Sequence, residues 1–246
     1  MIGIMTAMDA ELRLIRESLD QVYEVRQLGM REFTRGRWGG EDVVVVQSRW
    51  GKTAAASTAA ALVYHFYCDC ILLAGVAGAV HPSLRRGDIV VATHHVHQES
   101  DWSPFYQRGE IPMVGIREIP SDEVMVELIQ TAVGRVIGSA QAEASVFSGL
   151  AATGDRFLRT EQEVHILISQ FPGALIFDSE GASVAQVCYE HEVPFVAVRA
   201  VSDQVGQDAS GDFVRFLQQS AADYCVQILR EFVDLFHARR IDASSL

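Results

Sequence analysis

The chain has 246 residues, 49% of them hydrophobic, and a net charge of −12 at neutral pH. Such an excess of negative charge repels phosphate backbones and anionic lipid, so neither nucleic acid nor a membrane surface is expected as a partner. No run of about 18 apolar residues is free of charges and breakers, so no transmembrane helix is expected; the hydrophobic content suffices for one domain spanning residues 1–246.

Met1–Met5 is apolar but has no basic flank, and Asp9 and Glu11 follow at once. It reads as a first strand rather than a secretory signal. A helix is expected over Ala10–Leu19, with Leu12, Ile15 and Leu19 at helical spacing. Phe33–Trp38 and Asp42–Ser48 flank Gly39-Gly40, a hairpin signal. The β-branched run Val43–Val46 suggests a strand covered on both faces. An alanine-rich helix over Thr53–Tyr67 leads to the buried strand Ile71–Ala74, which ends in the small-residue segment Gly75–Ala79. A third strand, Asp88–Val96, follows a turn. His97–Gly115 has no clear period, and an irregular segment this long is usually functional or partner-facing.

Asp122–Ile137 reads as a helix with Ser121 as its N-cap. Ala144–Ala152 reads as a strand, and Thr160–Phe171 as a helix opened by a Thr160/Glu163 capping box. A short strand Ala174–Phe177, a helix Gly181–His191, a last strand Pro194–Val201 and a terminal helix Phe213–Arg239 complete the pattern. Alternating strands and helices imply a three-layer α/β fold, with a mostly parallel, mixed central sheet flanked by helices. Cys68, Cys70, Cys188 and Cys225 lie in apolar runs without a secretory signal. They read as buried, reduced thiols of a cytoplasmic protein. Cys68-Asp69-Cys70 has no second ligand pair, and His94, His95 and His97 fall on opposite strand faces. No metal site is expected from either cluster.

In open α/β sheets, ligands bind at the carboxyl ends of the strands. Four such exits carry chemistry. The first presents Glu11, which is either functional or an ordinary acid favoured by a helix dipole. The second, Gly75–Ala79, lets a backbone come close to a ligand but is neither a P-loop nor a dinucleotide fingerprint. The third, Asp178-Ser179-Glu180, offers caps for the following helix and, in Glu180, a carboxylate suited to a pair of ribose hydroxyls. The fourth places Arg199 inside an apolar strand, where its charge needs a use. Asp203 stands four residues on as a candidate acid or as the partner in a structural Arg–Asp pair.

Taken in order, Gly3-Ile4, Ala7-Met8 with Glu11, Gly75-x-Ala77-Gly78, Gly87–Val91, Gly154-Asp155-x-Phe157, Glu180-Gly181-Ala182 and Val198–Asp203 resemble the methylthioadenosine/S-adenosylhomocysteine nucleosidases of the nucleoside phosphorylase superfamily. The resemblance runs from about Met1 to Phe236. It implies a nucleoside phosphorylase-like fold, a small-molecule nucleoside substrate, hydrolysis of its N-glycosidic bond in methionine salvage, no cofactor, and a homodimer. By resemblance, Glu11 is the base that deprotonates the attacking water and Asp203 the acid that protonates adenine N7. Glu180 holds the ribose hydroxyls, Arg199 lies close to the water, and Met8 lies under the ribose. Phe157 stacks on adenine, and the Leu158 backbone reads its edge. Val76, Gly78, Ser179 and Ser202 complete the pocket, while Phe105 and Pro112 match positions lent to the neighbouring subunit.

Chemistry supports these roles. Adenine leaves readily only when protonated, and an anionic pocket stabilises the cationic sugar that forms. Acid and base belong on opposite sides of the anomeric carbon, as in inverting glycosidases. Asp203 must therefore hold a proton near neutral pH, through burial or neighbouring acids. The sequence departs from the family at three places. Ser179 stands where a methionine is usual, Asp178 where a glutamate is usual, and Val76 where a serine or threonine helps position the water. Two other readings stay open: a phosphorylase using phosphate instead of water, and a nucleoside-binding protein with little catalysis.

Overall fold

The computed structural model describes residues 1–140, 144–204 and 221–244. Its strands are β1 (Ile2–Thr6), β2 (Gln21–Leu28), β3 (Arg31–Trp38), β4 (Glu41–Gln47), β5 (Cys70–Ala79), β6 (Ile89–His97), β7 (Ile119–Pro120), β8 (Val146–Thr153), β9 (Ala174–Asp178) and β10 (Phe195–Gln204). Its helices are α1 (Asp9–Glu17), α2 (Lys52–Phe66), α3 (Glu123–Ala140), α4 (Glu161–Gln170), α5 (Gly181–Glu190) and α6 (Ala221–Ser244). The expected terminal helix is α6 from Ala221 onward; residues 213–220 of that expectation lie outside the described residues.

The sheet is mixed and flanked by helices. Parallel pairing runs through β4–β1–β5–β10 and through β6–β8–β9. Antiparallel pairs β10–β6 and β5–β9 join these two runs, closing β5, β10, β6, β8 and β9 into a ring. The ring gathers the carboxyl ends of β5, β8, β9 and β10 beside that of β1.

Strand side chains alternate between faces, so each covered strand serves two cores. Ile2, Ile4, Val43 and Val45 pack with α1, α3 and α6 on one side. Met5, Val44, Val46, Ile71 and Leu73 pack with α2 and α5 on the other. Both faces of Val43–Val46 are thus covered, as the unbroken β-branched run implies. All four cysteines are buried free thiols.

Two expectations need correction, and one strand was not expected. Gly75–Ala79 is not a loop after a strand; it continues β5, paired with β10 along its length. Ser121 does not cap α3: the Met125 amide donates to Asp122 Oδ1 at 2.9 Å, while the Ser121 hydroxyl donates to Ala92 O at 2.7 Å. Strand β2 went unread because it is an edge strand with exposed side chains and no apolar face. The capping box of α4 is present, with Glu163 N donating to Thr160 Oγ1 and Thr160 N to Glu163 Oε2.

Candidate active site

A cleft lies across these strand ends. The segment after β1 contributes Ala7 and Met8, β5 contributes Val76 to Gly78, and β9 leads into Asp178, Ser179 and Glu180. β10 contributes Ser202 and Asp203, and the segment after β8 contributes Arg156, Phe157 and Leu158. Trp50, from the segment after β4, closes the set. It was missed because only four strand ends were considered; the loop Ser48–Gly51 after the apolar run Val43–Val46 was the available signal. Its indole N–H donates to Met8 Sδ at 3.0 Å, and its ring meets Phe157 edge-on at 5.8 Å.

Arg199 is the centre of the charged network. It is fully buried, and its Nη2 and Nε donate to Asp178 Oδ2 at 2.6 and 3.0 Å. Nη2 also reaches Glu180 Oε2 at 3.3 Å. Its ion-pair partners are therefore Asp178 and Glu180; the Arg199–Asp203 pair weighed from spacing does not form, because β10 carries Asp203 past the network to the cleft wall. The remaining nitrogen, Nη1, is buried without a hydrogen-bond partner. A Cβ on Gly75 would lie 2.8 Å from it and 3.3 Å from Glu11 Oε1, so Nη1 and the Glu11 carboxylate approach each other over a glycine that leaves the room.

Glu11 sits on the first turn of α1, where its Oε2 accepts from the Met8 amide at 3.3 Å. It is almost fully buried and packs beside Thr6 and Gly75, next to the Ala7–Met8 and Val76 walls of the cleft. Burial raises its pKa from 4.5 to about 7, against the opposing pull of Arg199 and the Met8 amide, with Glu180 adding to the rise. Glu180 is raised in the same direction, first by burial and then by the Asp178 charge. Burial also works on Asp178 but is overcome by Arg199 and by the Thr153 hydroxyl, 2.6 Å from its Oδ1, so that Asp178 stays below the usual range. The Gly181 amide donates to the same carboxylate, so Asp178 serves both as a cap for α5 and as the anchor of Arg199.

Behind Asp178 lies His95. The Ser121 hydroxyl spends its hydrogen on Ala92 O, so it accepts from His95 Nε2, 3.2 Å away. Nδ1 then carries the lone pair, buried beside Asp178. Burial lowers the His95 pKa to about 4, so the ring is neutral. His97 instead meets Gln186 Oε1 at 2.9 Å, and His94 is exposed. Where β10 borders the cleft, the Ser202 hydroxyl lies 2.5 Å from Asp203 Oδ1 and 3.2 Å from Ala77 O. Met8, Val76, Gly78, Phe157, Leu158, Ser179, Glu180, Ser202 and Asp203 all line the cleft; Glu11 is buried next to its Val76 and Met8 wall, and Arg199 is buried against Asp178 and Glu180 of its lining. Phe105 and Pro112 lie apart from this chain's cleft, and Phe105 is 86% exposed.

Residues 1–234 match the family model described as Phosphorylase superfamily. The chain is 33% identical over 236 residues to a 5′-methylthioadenosine/S-adenosylhomocysteine nucleosidase of Bacillus thuringiensis (strain Al Hakam), covering 94% of this chain and 98% of that protein. The chain belongs to the methylthioadenosine/S-adenosylhomocysteine nucleosidase family. Its fold is similar to that of the Neisseria meningitidis nucleosidase in complex with methylthio-immucillin-A, at a TM-score of 0.87 and 30% identity over 95% of this chain and 98% of that one. The futalosine hydrolase of Helicobacter pylori strain 26695 is similar as well, with a TM-score of 0.84 and 29% identity over 95% and 97% of the two chains.

Proposed function

We propose that this protein hydrolyses the N-glycosidic bond of 5′-substituted adenosines such as methylthioadenosine and S-adenosylhomocysteine, releasing adenine and the free sugar. The observation that carries this is the buried Glu11, raised to about 7, facing Arg199 Nη1 beside a cleft that ends at Asp203. A carboxylate with a pKa near the working pH is half ionised there and well matched to take a proton from water.

The roles follow from these positions. Glu11 takes a proton from the water as its oxygen bonds to C1′. The C1′–N9 bond breaks, and Asp203 delivers its proton to N7, so adenine departs neutral. Glu180 accepts hydrogen bonds from the ribose hydroxyls, and its charge, with that of Asp178, stabilises the cationic sugar. Arg199 neutralises part of this acid cluster and points Nη1 toward the water. Met8 supports the ribose, Phe157 stacks on the purine, and the Leu158 backbone reads its edge. Val76, Gly78, Ser179 and Ser202 shape the walls. A second copy of the chain in a homodimer lends Phe105 and Pro112 to close the 5′ end. We place this single-domain enzyme in the cytoplasm and in methionine salvage, in keeping with its acidic surface and buried thiols. No helix among the described residues is long and apolar enough to cross a membrane.

Phosphorolysis is disfavoured because the nucleophile side of the cleft is acidic. Glu11 lies there, and Asp178 and Glu180 already meet the charge of Arg199. A phosphate dianion would face net repulsion. Incubation with methylthioadenosine, with and without phosphate, tests the assignment. Adenine and free methylthioribose, independent of phosphate, are expected. A phosphate requirement with a sugar 1-phosphate product would make it a phosphorylase, and tight binding without turnover would make it a binding protein.

A further inference from the structure

Helix α2 opens without a cap of its own. Its N-cap is Gly51, at a φ of 96°, and its first turn holds no acid but begins with the cation Lys52, against the positive end of the helix. The first amides of a helix have no intrahelical partner and must be met from outside. Here carboxylates from two different strand exits meet them. Lys52 N donates to Asp155 Oδ1 at 2.7 Å, in the segment after β8. Gly51 N donates to Glu180 Oε1 at 3.2 Å, in the segment after β9. A third exit closes the set. Glu99, after β6, accepts from Lys52 Nζ at 2.9 Å and from the Asp155 amide at 3.1 Å, both on Oε2. Burial works against the charge of Glu99, but these two donors, with Arg156, outweigh it and hold the carboxyl below its usual range.

The acids at the start of α2 have different work. Glu180 lines the cleft, whereas Asp155 is not among the residues that line it. The Glu180 carboxylate is held on both sides, Oε1 by the Gly51 amide and Oε2 by Arg199 Nη2 at 3.3 Å. A carboxylate oxygen accepts about two hydrogen bonds, so each keeps one place open. Two open acceptor places on a fixed carboxylate suit the neighbouring hydroxyls of a ribose. Arg199 fixes only one of the oxygens; without the Gly51 amide the group can turn about its last bond. The Gly51 amide is aimed in turn by the next peptide, whose N–H is pinned by Asp155. Asp155 also leads directly into Arg156, Phe157 and Leu158, which form another wall of the cleft.

We infer that Asp155 is a positioning residue for the ribose: by capping α2 it aims the Gly51 amide at Glu180, and so sets the carboxylate that receives the sugar hydroxyls. Glu99 holds Asp155 in place for this. The inference rests on the nucleosidase reading and adds to it a residue that acts through another.

The test compares methylthioadenosine with its 2′-deoxy analogue, which withholds one hydroxyl from Glu180. The wild-type protein is expected to prefer the ribonucleoside. Asp155→Ala should lower kcat/KM for methylthioadenosine about tenfold, the size of one hydrogen bond to a charged group, and lower that of the deoxy analogue by less, so that the preference shrinks roughly threefold or more. Asp155→Asn keeps an acceptor oxygen for the Lys52 amide and should restore most of the preference. In an E180A background, where the preference is already lost, D155A should change it no further. General loosening moves both substrates alike. A wild-type protein without the preference, or a D155A protein that loses activity equally on both substrates or keeps the preference in full, therefore overturns the inference. Glu99→Ala, which releases Asp155 and Lys52 together, carries the same comparison if D155A does not fold. If methylthioadenosine itself is not hydrolysed, the nucleosidase reading fails instead. Hydrogen exchange at the Gly51 amide then decides the clasp on its own: protection lost in both D155A and E180A upholds it, and protection unchanged in D155A overturns it.

Discussion

Substituting Glu11 by Gln should stabilise the protein at high pH while stopping the reaction. In the folded chain the Glu11 carboxyl titrates at about 7 rather than 4.5, so the fold binds its proton more tightly than the unfolded chain does. Stability therefore falls as pH rises between those two values, by about 1.4 kcal/mol per pH unit. Below 4.5 both states hold the proton and the penalty vanishes; above 7 it is fully present. The gap between 4.5 and about 7 amounts to about 3 kcal/mol. Gln keeps the shape and cannot ionise, so E11Q should exceed the wild type by about that amount at pH 8.5 and by less than about 1 kcal/mol at pH 5. For a domain of this size the high-pH difference corresponds to a rise in Tm of about 6–12 °C. Urea unfolding of both proteins across this pH range measures it. A difference that does not vary with pH, or an E11Q protein less stable than the wild type at pH 8.5, would refute the reasoning. Retained hydrolysis in E11Q would show that another group activates the water. The same titration implies that wild-type kcat/KM rises with pH through about 7, as Glu11 ionises.

Three further changes probe the rest of the network. Asp203→Asn should lower hydrolysis by roughly 10²–10⁴-fold with an unchanged circular dichroism spectrum, because the leaving purine loses its proton donor; near-normal turnover would remove Asp203 as the acid. Arg199→Met should cost about 3–5 kcal/mol in urea unfolding at neutral pH, since it leaves the Asp178 carboxylate buried without its counter-ion. Gly181→Ala should cost about 1–3 kcal/mol, because the added methyl would meet Asp178 Oδ2 at 2.7 Å and His95 Nδ1 at 2.9 Å; an unchanged Tm would show that this corner has slack.

The parts of the fold most legible in the sequence were those with a strong local signal. Val43–Val46 announced a doubly covered strand because both of its faces are apolar, and the alanines at positions 54–56 and 59–61 announced a helix lying close to a sheet. Edge strand β2 carries Glu24 and Arg26 among Val22, Tyr23 and Val25, all exposed, so no face of it is marked as core. The ring closure was not legible either. It depends on which strand ends meet in space, here Gly78 against Phe177 and Ala197 against Ala92. Ser121 and Asp122 are both good N-caps, and their order on the chain does not decide between them. The choice was made by β6, whose Ala92 carbonyl and His95 ring claim the Ser121 hydroxyl.

The same distinction explains what could be read of the site. A lone Arg199 in an apolar strand announces that a charge must be matched, since leaving it unpaired in the core is prohibitive. It does not announce by whom. Sequence proximity favoured Asp203, but in a β-strand residues four apart lie roughly 13 Å apart along the chain. The partner must instead come from a neighbouring element whose exit meets the arginine side-on, and Asp178 at the end of β9 does so at 2.6 Å. With Arg199 paired to Asp178, Asp203 lines the cleft wall and Arg199 Nη1 is turned to Glu11. The choice of ion-pair partner for Arg199 is therefore made by the sheet's closure, which brings the end of β9 to β5 and β10, rather than by local sequence.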